Sequence, residues 1–186
     1  MFRIRPSIAA LCAALLLGAG AGARADEVDE VSRLIASGQP AQALAQAERF
    51  LAGKPNDAAM RFQRGVILSE VQRTDEAIDV FTRLTQDFPD LPEPYNNLGV
   101  LLSARGEYDR ARVALEAAVR NNPNYAVAHE NLGDIHAVLA SRSYARAIQL
   151  EPAHTGAAPK LALIRDLLAR SAAPGYRTPV LRPPAS

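Results

Sequence analysis

The chain has 186 residues, with 21 basic and 20 acidic side chains, one cysteine and no tryptophan. A formal net charge of +1 lacks the basic excess on which nucleic-acid binding depends, and one cysteine cannot form a disulfide within the chain. The length suffices for one packed domain.

The start of the chain, residues 1–25, has the pattern of a secretory signal peptide. Two arginines precede an apolar run at 8–17, and Ala23-Arg24-Ala25 has the small-x-small pattern of a cleavage site. The run is shorter than the about 20 residues that a spanning helix needs, which favours cleavage after Ala25 over an uncleaved anchor. The product would begin at Asp26, with 18 basic and 20 acidic side chains and no thiol. We therefore expect a periplasmic protein that does not insert into the membrane.

Three residue types recur along the chain with a period of about 34 residues. A glycine inside a helix costs about 1 kcal/mol relative to alanine, so its recurrence indicates a place where two helices approach closely. A recurring proline ends each unit, because proline cannot continue a helix. The recurring residues are Gly65, Gly99 and Gly133; Ala43, Ala77 and Ala111; and Pro55, Pro89 and Pro123.

One segment carries the pattern of a whole repeat. Tyr95-Asn96-Asn97-Leu98-Gly99 is followed at characteristic spacings by Gly106, Tyr108, Ala111 and Pro123. In these residues and in its period, the chain resembles the tetratricopeptide repeat family over about residues 26–152. The resemblance implies an all-α, right-handed superhelical solenoid of about four helix-turn-helix repeats with a C-terminal capping helix.

The period places repeats at 24–57, 58–91 and 92–125, with a truncated fourth repeat at 126–152. The first repeat is degenerate, because Val31 replaces its glycine. In the fourth, Pro152 comes less than one full period after Pro123, so about five residues are missing near the turn between the helices. No glycine or proline occurs at 134–150, which favours one long helix, although a shortened helix pair stays open.

The chain after the repeats divides into two segments. An apolar stripe of Leu161, Ile164, Leu167 and Leu168 predicts an amphipathic capping helix at 153–170, which would cover the hydrophobic end of the solenoid. Four prolines at 171–186 exclude regular structure there, and a disordered tail is favoured over a polyproline-type ligand.

The sequence contains no recognisable pattern for catalysis or metal binding. His129-Glu130 begins like a zinc-protease motif, but Gly133 stands where the second histidine is needed. Packing between helices is favoured over metal binding for His129 and His136. We find no phosphate loop, dinucleotide fingerprint or nucleophile elbow. We expect no enzyme activity, no metal and no cofactor.

In the family that the chain resembles, the first helix of each repeat lines a concave groove through its second, fifth, ninth, twelfth and thirteenth positions. When these positions are carried over to this chain, one of them is Asn96. We expect its side chain to hydrogen-bond the backbone of a ligand, because an amide both donates and accepts. None of the positions is basic, which disfavours recognition of a terminal carboxylate. The predicted groove residues are Phe62, Val66, Ser69, Glu93, Asn96, Val100, Ser103, Glu130 and Asp134, with Ala59, Glu70, Ala104 and Val127 beside them.

The resemblance implies an interaction protein. We predict a periplasmic adaptor that presents its groove to a protein or peptide segment in a cell-envelope assembly. The alternative is a self-assembling structural protein without a dedicated groove ligand, in which repeat faces or the 161–168 stripe join copies. We expect no nucleic-acid partner.

Overall fold

The structure, a computed structural model, describes residues 26–153 and 155–171. The predicted signal peptide and residues 172–186 of the predicted tail lie outside the described residues. Within the described ranges the chain forms eight α-helices and no strand. The helices are α1 at 26–36, α2 Pro40–Gly53, α3 Ala58–Glu70, α4 Thr74–Asp87, α5 Pro92–Ala104, α6 Tyr108–Asn121, α7 Ala126–Leu150 and α8 Ala157–Ser171.

Helices α1 to α6 form three successive helix pairs, to which α7 and α8 are added. From α2 onward each helix packs against the next one in the chain, and α5 also contacts α7. Val31 of α1 is buried in a cluster with Ala43 of α2 and Met60 of α3. The chain therefore stacks its helices in sequence order, and the prediction of an all-α solenoid is confirmed.

The turn inside each helix pair has one backbone geometry, which recurs once per repeat. Gly38, Gln72 and Gly106 have φ values of 72°, 63° and 76°, in the left-handed region that favours glycine. The next backbone N–H then bonds back to a carbonyl of the preceding helix, as in a Schellman cap. These bonds join Gln39 to Leu34 (2.9 Å), Arg73 to Leu68 (2.8 Å) and Glu107 to Leu102 (3.0 Å).

Small residues permit the close approach of the two helices in a pair. Ala43, Ala77 and Ala111 are fully buried. A Cβ atom built on Gly65 would lie 2.7 Å from Cζ of Phe81, and one built on Gly99 would lie 2.6 Å from Cγ of Leu115. Both distances are far below van der Waals contact, so these two glycines stand where the sequence predicts a tight helix crossing.

Gly133 does not stand at such a crossing. A Cβ atom built there has nothing within 4 Å, apart from its own helix and chain neighbours, and the residue is exposed. The prediction for Gly133 is therefore wrong. The physical reason is that α7 continues through Leu150 without turning, so no second helix folds back across the glycine.

The fourth unit is one long helix. The residue one full period after Gly106 is Ala140, which favours helix and disfavours the left-handed turn. Helix α8 packs against α7 and buries Leu161. Of the remaining predicted stripe, Ile164 and Leu168 are half-buried, whereas Leu167 is 54% exposed.

The two kinds of glycine give opposite expectations for alanine substitution. Gly99→Ala should lower the free energy of unfolding by about 1–3 kcal/mol, because the added methyl group overpacks the contact with Leu115. Gly133→Ala should raise it by up to about 1 kcal/mol, because alanine favours helix and meets open space. Denaturant unfolding of both variants measures the difference, and equal losses would contradict the assignment of Gly99 to a tight crossing.

Candidate functional site

The predicted groove residues of α3, α5 and α7 separate into a buried set and an accessible set. Phe62, Val66 and Asn96 are buried, with exposed fractions of 1%, 5% and 1%. The others are half-buried or exposed and form what we call the A-helix face. Its members are Ala59, Ser69, Glu70, Glu93, Val100, Ser103, Ala104, Val127, Glu130 and Asp134.

Phe62 and Val66 belong to the hydrophobic core. The Phe62 ring packs edge to face on Phe81 of α4, with ring centroids 5.5 Å apart. Val66 lies in the same cluster of buried side chains. The prediction that these two side chains offer an apolar strip to a ligand therefore needs correction, because helix–helix packing already covers them.

Asn96 takes part in a buried amide network that connects α5 with α7. Its Oδ1 accepts a hydrogen bond of 2.8 Å from Nδ2 of Asn131, and its own Nδ2 donates weakly to Oδ1 of Asn97 at 3.4 Å. The prediction that Asn96 bonds a ligand backbone is corrected by this environment. Its amide holds two helices together and is not open to a ligand.

A similar bond connects α3 with α1, and together the two bonds reveal a pattern that our sequence reasoning missed. Gln63, Asn97 and Asn131 occupy the same position in successive repeats. Gln63 donates from Nε2 to Oγ of Ser32 at 3.0 Å, just as Asn131 donates to Asn96. Gln63 and Asn131 thus each bond the first helix of the preceding repeat. The signal available in the sequence was the recurrence of an amide at one repeat position.

The middle amide of this series has no acceptor for its N–H groups. Asn97 is 1% exposed, and its Nδ2 is buried without a hydrogen-bond partner among the described residues. The residues that correspond to Ser32 and Asn96 on α3 are Val66 and Phe62, whose apolar side chains cannot accept. The unpaired amide therefore follows from the apolar core between α3 and α5.

The A-helix face is acidic. Partial burial raises the pKa of the Glu70 carboxyl above its usual value. Partial burial, and then the charge of Glu130, raise the pKa of the Asp134 carboxyl. Oε2 of Glu93 is buried and accepts no hydrogen bond from any described residue. The face includes no lysine or arginine.

Residues of α4, α5 and α6 line a groove on the third repeat whose exposed surface is mostly apolar, although Asp109, Arg110, Arg112 and Arg120 also belong to its lining. Leu98, Val113 and Ala117 line it, and Val113 is 54% exposed. The corresponding residues one repeat earlier are Arg64, Asp79 and Arg83, which make the same surface charged. We call the apolar version the B-helix groove. It is a local feature of the third repeat and not a general consequence of the fold.

The described residues contain neither a metal-binding cluster nor a membrane-spanning helix. In this part of the chain, no group of three or more His, Cys, Asp or Glu side chains could hold a metal ion. Over the same residues, no helix is both long and apolar enough to cross a membrane. His129 and His136 are exposed, which corrects the prediction that they pack between helices, and Nε2 of His129 lies 2.9 Å from the carbonyl oxygen of Pro123.

Two family models match the chain, and both describe a tetratricopeptide repeat. One covers residues 28–92 and the other residues 68–134, so together they extend over more than half of the chain. The chain belongs to the tetratricopeptide repeat family. The tetratricopeptide register explains why the glycines, turns and buried amides recur once per repeat.

Several solved structures share the tetratricopeptide fold. The TPR domain of P58(IPK) matches with a TM-score of 0.61 at 22% identity, over 76% of this chain and 40% of that one. MamA from Desulfovibrio magneticus RS-1 has a TM-score of 0.54 at 22% identity, over 78% and 94%. YrrB, described as a TPR protein with an unusual peptide-binding site, has a TM-score of 0.53 at 26% identity, over 56% and 54%. The chain thus spans about half or less of the matched P58(IPK) and YrrB chains.

The raised pKa of Asp134 leads to a pH-dependent prediction. A carboxyl whose pKa is higher in the folded state lowers stability as the pH rises through that pKa. Asp134→Asn removes the charge, so at pH 7 it should raise the Tm by about 1–2 °C. The expected shift is small because solvent partly screens this carboxyl and because a given change in free energy moves the Tm less in a longer chain. The difference from the unsubstituted protein should shrink as the pH falls toward 4.

Thermal unfolding at several pH values measures this effect. Asp90→Asn is the matched control, because Asp90 is exposed in the turn between α4 and α5 and should leave the Tm almost unchanged. A lower Tm for Asp134→Asn at pH 7 would contradict the destabilising role of the Asp134 charge.

Proposed function

We propose that this protein is an adaptor that binds a segment of a partner protein on its A-helix face. Proteins of the tetratricopeptide repeat family bind protein or peptide partners, and the fold is typically a non-catalytic scaffold. The supporting observation is that ten residues of α3, α5 and α7, at the family's groove positions, remain accessible although their neighbours are buried. The description of YrrB as a peptide-binding TPR protein agrees with this proposal.

The buried residues behind the face give it a fixed shape. The bonds from Gln63 to Ser32 and from Asn131 to Asn96 connect first helices of neighbouring units. Within the second repeat, the packing of Phe62 on Phe81 holds α3 against α4. A surface that is ordered before binding loses less conformational entropy when the partner binds. In this mechanism the buried residues Phe62 and Asn96 do not touch the partner. They act indirectly, by positioning the accessible residues of the A-helix face.

We propose further that the protein works in the periplasm, as part of a cell-envelope assembly. The signal-peptide pattern of residues 1–25 supports export with cleavage after Ala25. The chain from Asp26 onward contains no cysteine, so an oxidising compartment would not threaten it with unwanted disulfides.

One experiment in bacterial cells tests both the face and the export. A photoreactive residue replaces Ser103 on the A-helix face, and in a matched variant it replaces Asp79 on α4. We expect a crosslinked partner from position 103 and none from position 79, because only the first position lies on the proposed binding surface. The intact mass of protein from the periplasmic fraction should correspond to a chain that begins at Asp26.

Two results would contradict these proposals separately. Equal crosslinking from both positions would mean that the A-helix face has no special role. Protein found only in the cytoplasm, with residues 1–25 retained, would exclude the periplasmic assignment.

The second candidate function is self-assembly, and exposed apolar residues favour it. Leu163 and Leu167 of α8 are 72% and 54% exposed and stand about one helical turn apart, so they form a ridge on one side of the helix. Val113 in the B-helix groove is 54% exposed. Joining the ridge of one copy to the groove of another would cover these residues and would allow continued growth, because the contact uses two different surfaces.

Mixing of two variants tests this candidate. Leu163→Glu with Leu167→Glu removes the ridge, and Val113→Glu removes the groove. If copies join in this way, light scattering should find each variant monomeric alone and a 1:1 dimer in the mixture. A protein that stays monomeric at all concentrations without any substitution would rule out self-assembly.

A further inference from the structure

We infer that the stack of first helices contains a hinge between α3 and α5, at which the A-helix face changes its curvature. Helices α1 to α4 form one side of this hinge, and α5 to α8 form the other. Such a hinge belongs to the free protein and exists whether or not a partner binds the face, so it goes beyond the proposed function. Its evidence is the bonding between neighbouring first helices, which is present at two junctions and missing at one.

Hydrogen bonds join the first helices α1, α3, α5 and α7 at two of their three junctions. Gln63 of α3 donates to Ser32 of α1 at 3.0 Å, and Asn131 of α7 donates to Asn96 of α5 at 2.8 Å. Among the described residues, no hydrogen bond or ion pair joins α3 with α5. A hydrogen bond is lost once its heavy atoms separate beyond about 3.5 Å. The two bonded junctions therefore resist opening, and the junction of α3 with α5 lacks this resistance.

The contacts that cross the α3–α5 junction are apolar. Phe62 and Val66 of α3 belong to the same core cluster as Leu101 and Leu102 of α5. Helix α5 contacts α7 directly, whereas α3 and α5 are connected mainly through α4, against which both of them pack. Apolar burial is non-directional, so these contacts persist when two helices shift by a small distance.

Two buried polar groups of α5 lack partners at this junction. Nδ2 of Asn97 and Oε2 of Glu93 are shielded from solvent and have no hydrogen-bond partner among the described residues. The two residues stand one helical turn apart, on the same side of α5. The repeat register places this side toward α3, because the equivalent Gln63 and Asn131 each bond the preceding first helix. An unpaired buried group costs free energy, so water that enters an opened junction offsets part of the cost of opening.

Polar contacts between α4 and α5 locate the axis of the hinge. The hydroxyl group of Tyr95 donates to the carbonyl oxygen of Thr85 on α4 at 3.2 Å. Nη1 of Arg105, directly after α5, lies 2.5 Å from Oδ1 of Asp75 at the start of α4. These contacts hold α5 against α4, so the movement is a rotation about the α4–α5 contact that widens or narrows the space between α3 and α5.

The hinge divides the A-helix face into two parts. Its residues on α3 move with α1 and α4, and its residues on α5 and α7 move together because Asn131 bonds Asn96. Each part keeps a fixed shape, and the hinge changes the distance between them. One face can thereby fit segments of different width.

Electron paramagnetic resonance of paired spin labels tests the hinge. Cys12→Ser removes the only thiol of the chain, so labels attach only to introduced cysteines. Glu70→Cys with Ala104→Cys spans the α3–α5 junction, and Ala36→Cys with Glu70→Cys spans the hydrogen-bonded α1–α3 junction. The two pairs are matched, because all three positions are exposed and each is the last residue of its helix.

The widths of the two distance distributions are compared in frozen solution. Neighbouring helices lie about 10 Å apart, a separation at which spin labels broaden each other's spectra. We expect the distribution across α3–α5 to be about twice as wide as that across α1–α3, because only the α1–α3 junction carries a hydrogen bond. Equal widths would overturn the inference.

Exchange of the junction residues tests whether the missing hydrogen bond is the cause. Val66→Ser with Asn97→Gln reproduces at the α3–α5 junction the pair that Ser32 and Gln63 form, because these residues occupy equivalent repeat positions. The distribution between positions 70 and 104 should then narrow to that of the bonded junction. Conversely, Ser32→Val removes the acceptor of Gln63, and the distribution between positions 36 and 70 should become about twofold wider.

Circular dichroism establishes that each labelled variant is folded. Unchanged widths in both exchange variants would mean that the amides do not control the movement, and the inference would be wrong. The comparison of the two pairs without exchange does not depend on the folding of the exchange variants. Crosslinking of a partner from position 103 is independent of these widths, so failure of the hinge leaves the adaptor proposal standing.

Discussion

The rest of the structure depends on how closely the two helices of a repeat can approach. At Gly65 and Gly99 the absence of a side chain lets Phe81 and Leu115 of the second helix reach the backbone of the first. The fully buried Ala77 and Ala111 complete this contact from the other side. This packing determines which side of each first helix is covered, and so which residues remain for a partner.

The fourth unit shows what happens when the turn between the two helices of a repeat does not form. Without a residue suited to the left-handed turn, α7 continues as one helix, and Gly133 loses the neighbour that would make it necessary. The stack then ends on a long helix, which α8 partly covers. Among the described residues α8 packs mainly against α7, so Leu163 and Leu167 on its other side remain exposed.

The candidate site was predictable from the sequence in its position but not in its chemistry. The repeat register located the three helices and the ten positions on them that the structure leaves accessible. It could not tell that Phe62 and Asn96 are buried, because their exposure depends on Phe81 and Asn131 in other helices. The repeated amide at Gln63, Asn97 and Asn131 was visible in the sequence, yet its meaning required the distances to Ser32 and Asn96.

The sequence by itself determined the helix pairs, because local propensities act over a few residues and the repeat period reproduces them along the chain. Glycine and proline mark where helices turn and end, and a buried alanine marks where they touch. Only the tertiary structure decided which polar groups are paired and which are exposed. Burial and hydrogen bonding arise between residues far apart in the chain, as Asn131 and Asn96 illustrate. The acidic character of the A-helix face became evident only once the structure showed that Phe62 and Asn96 are buried.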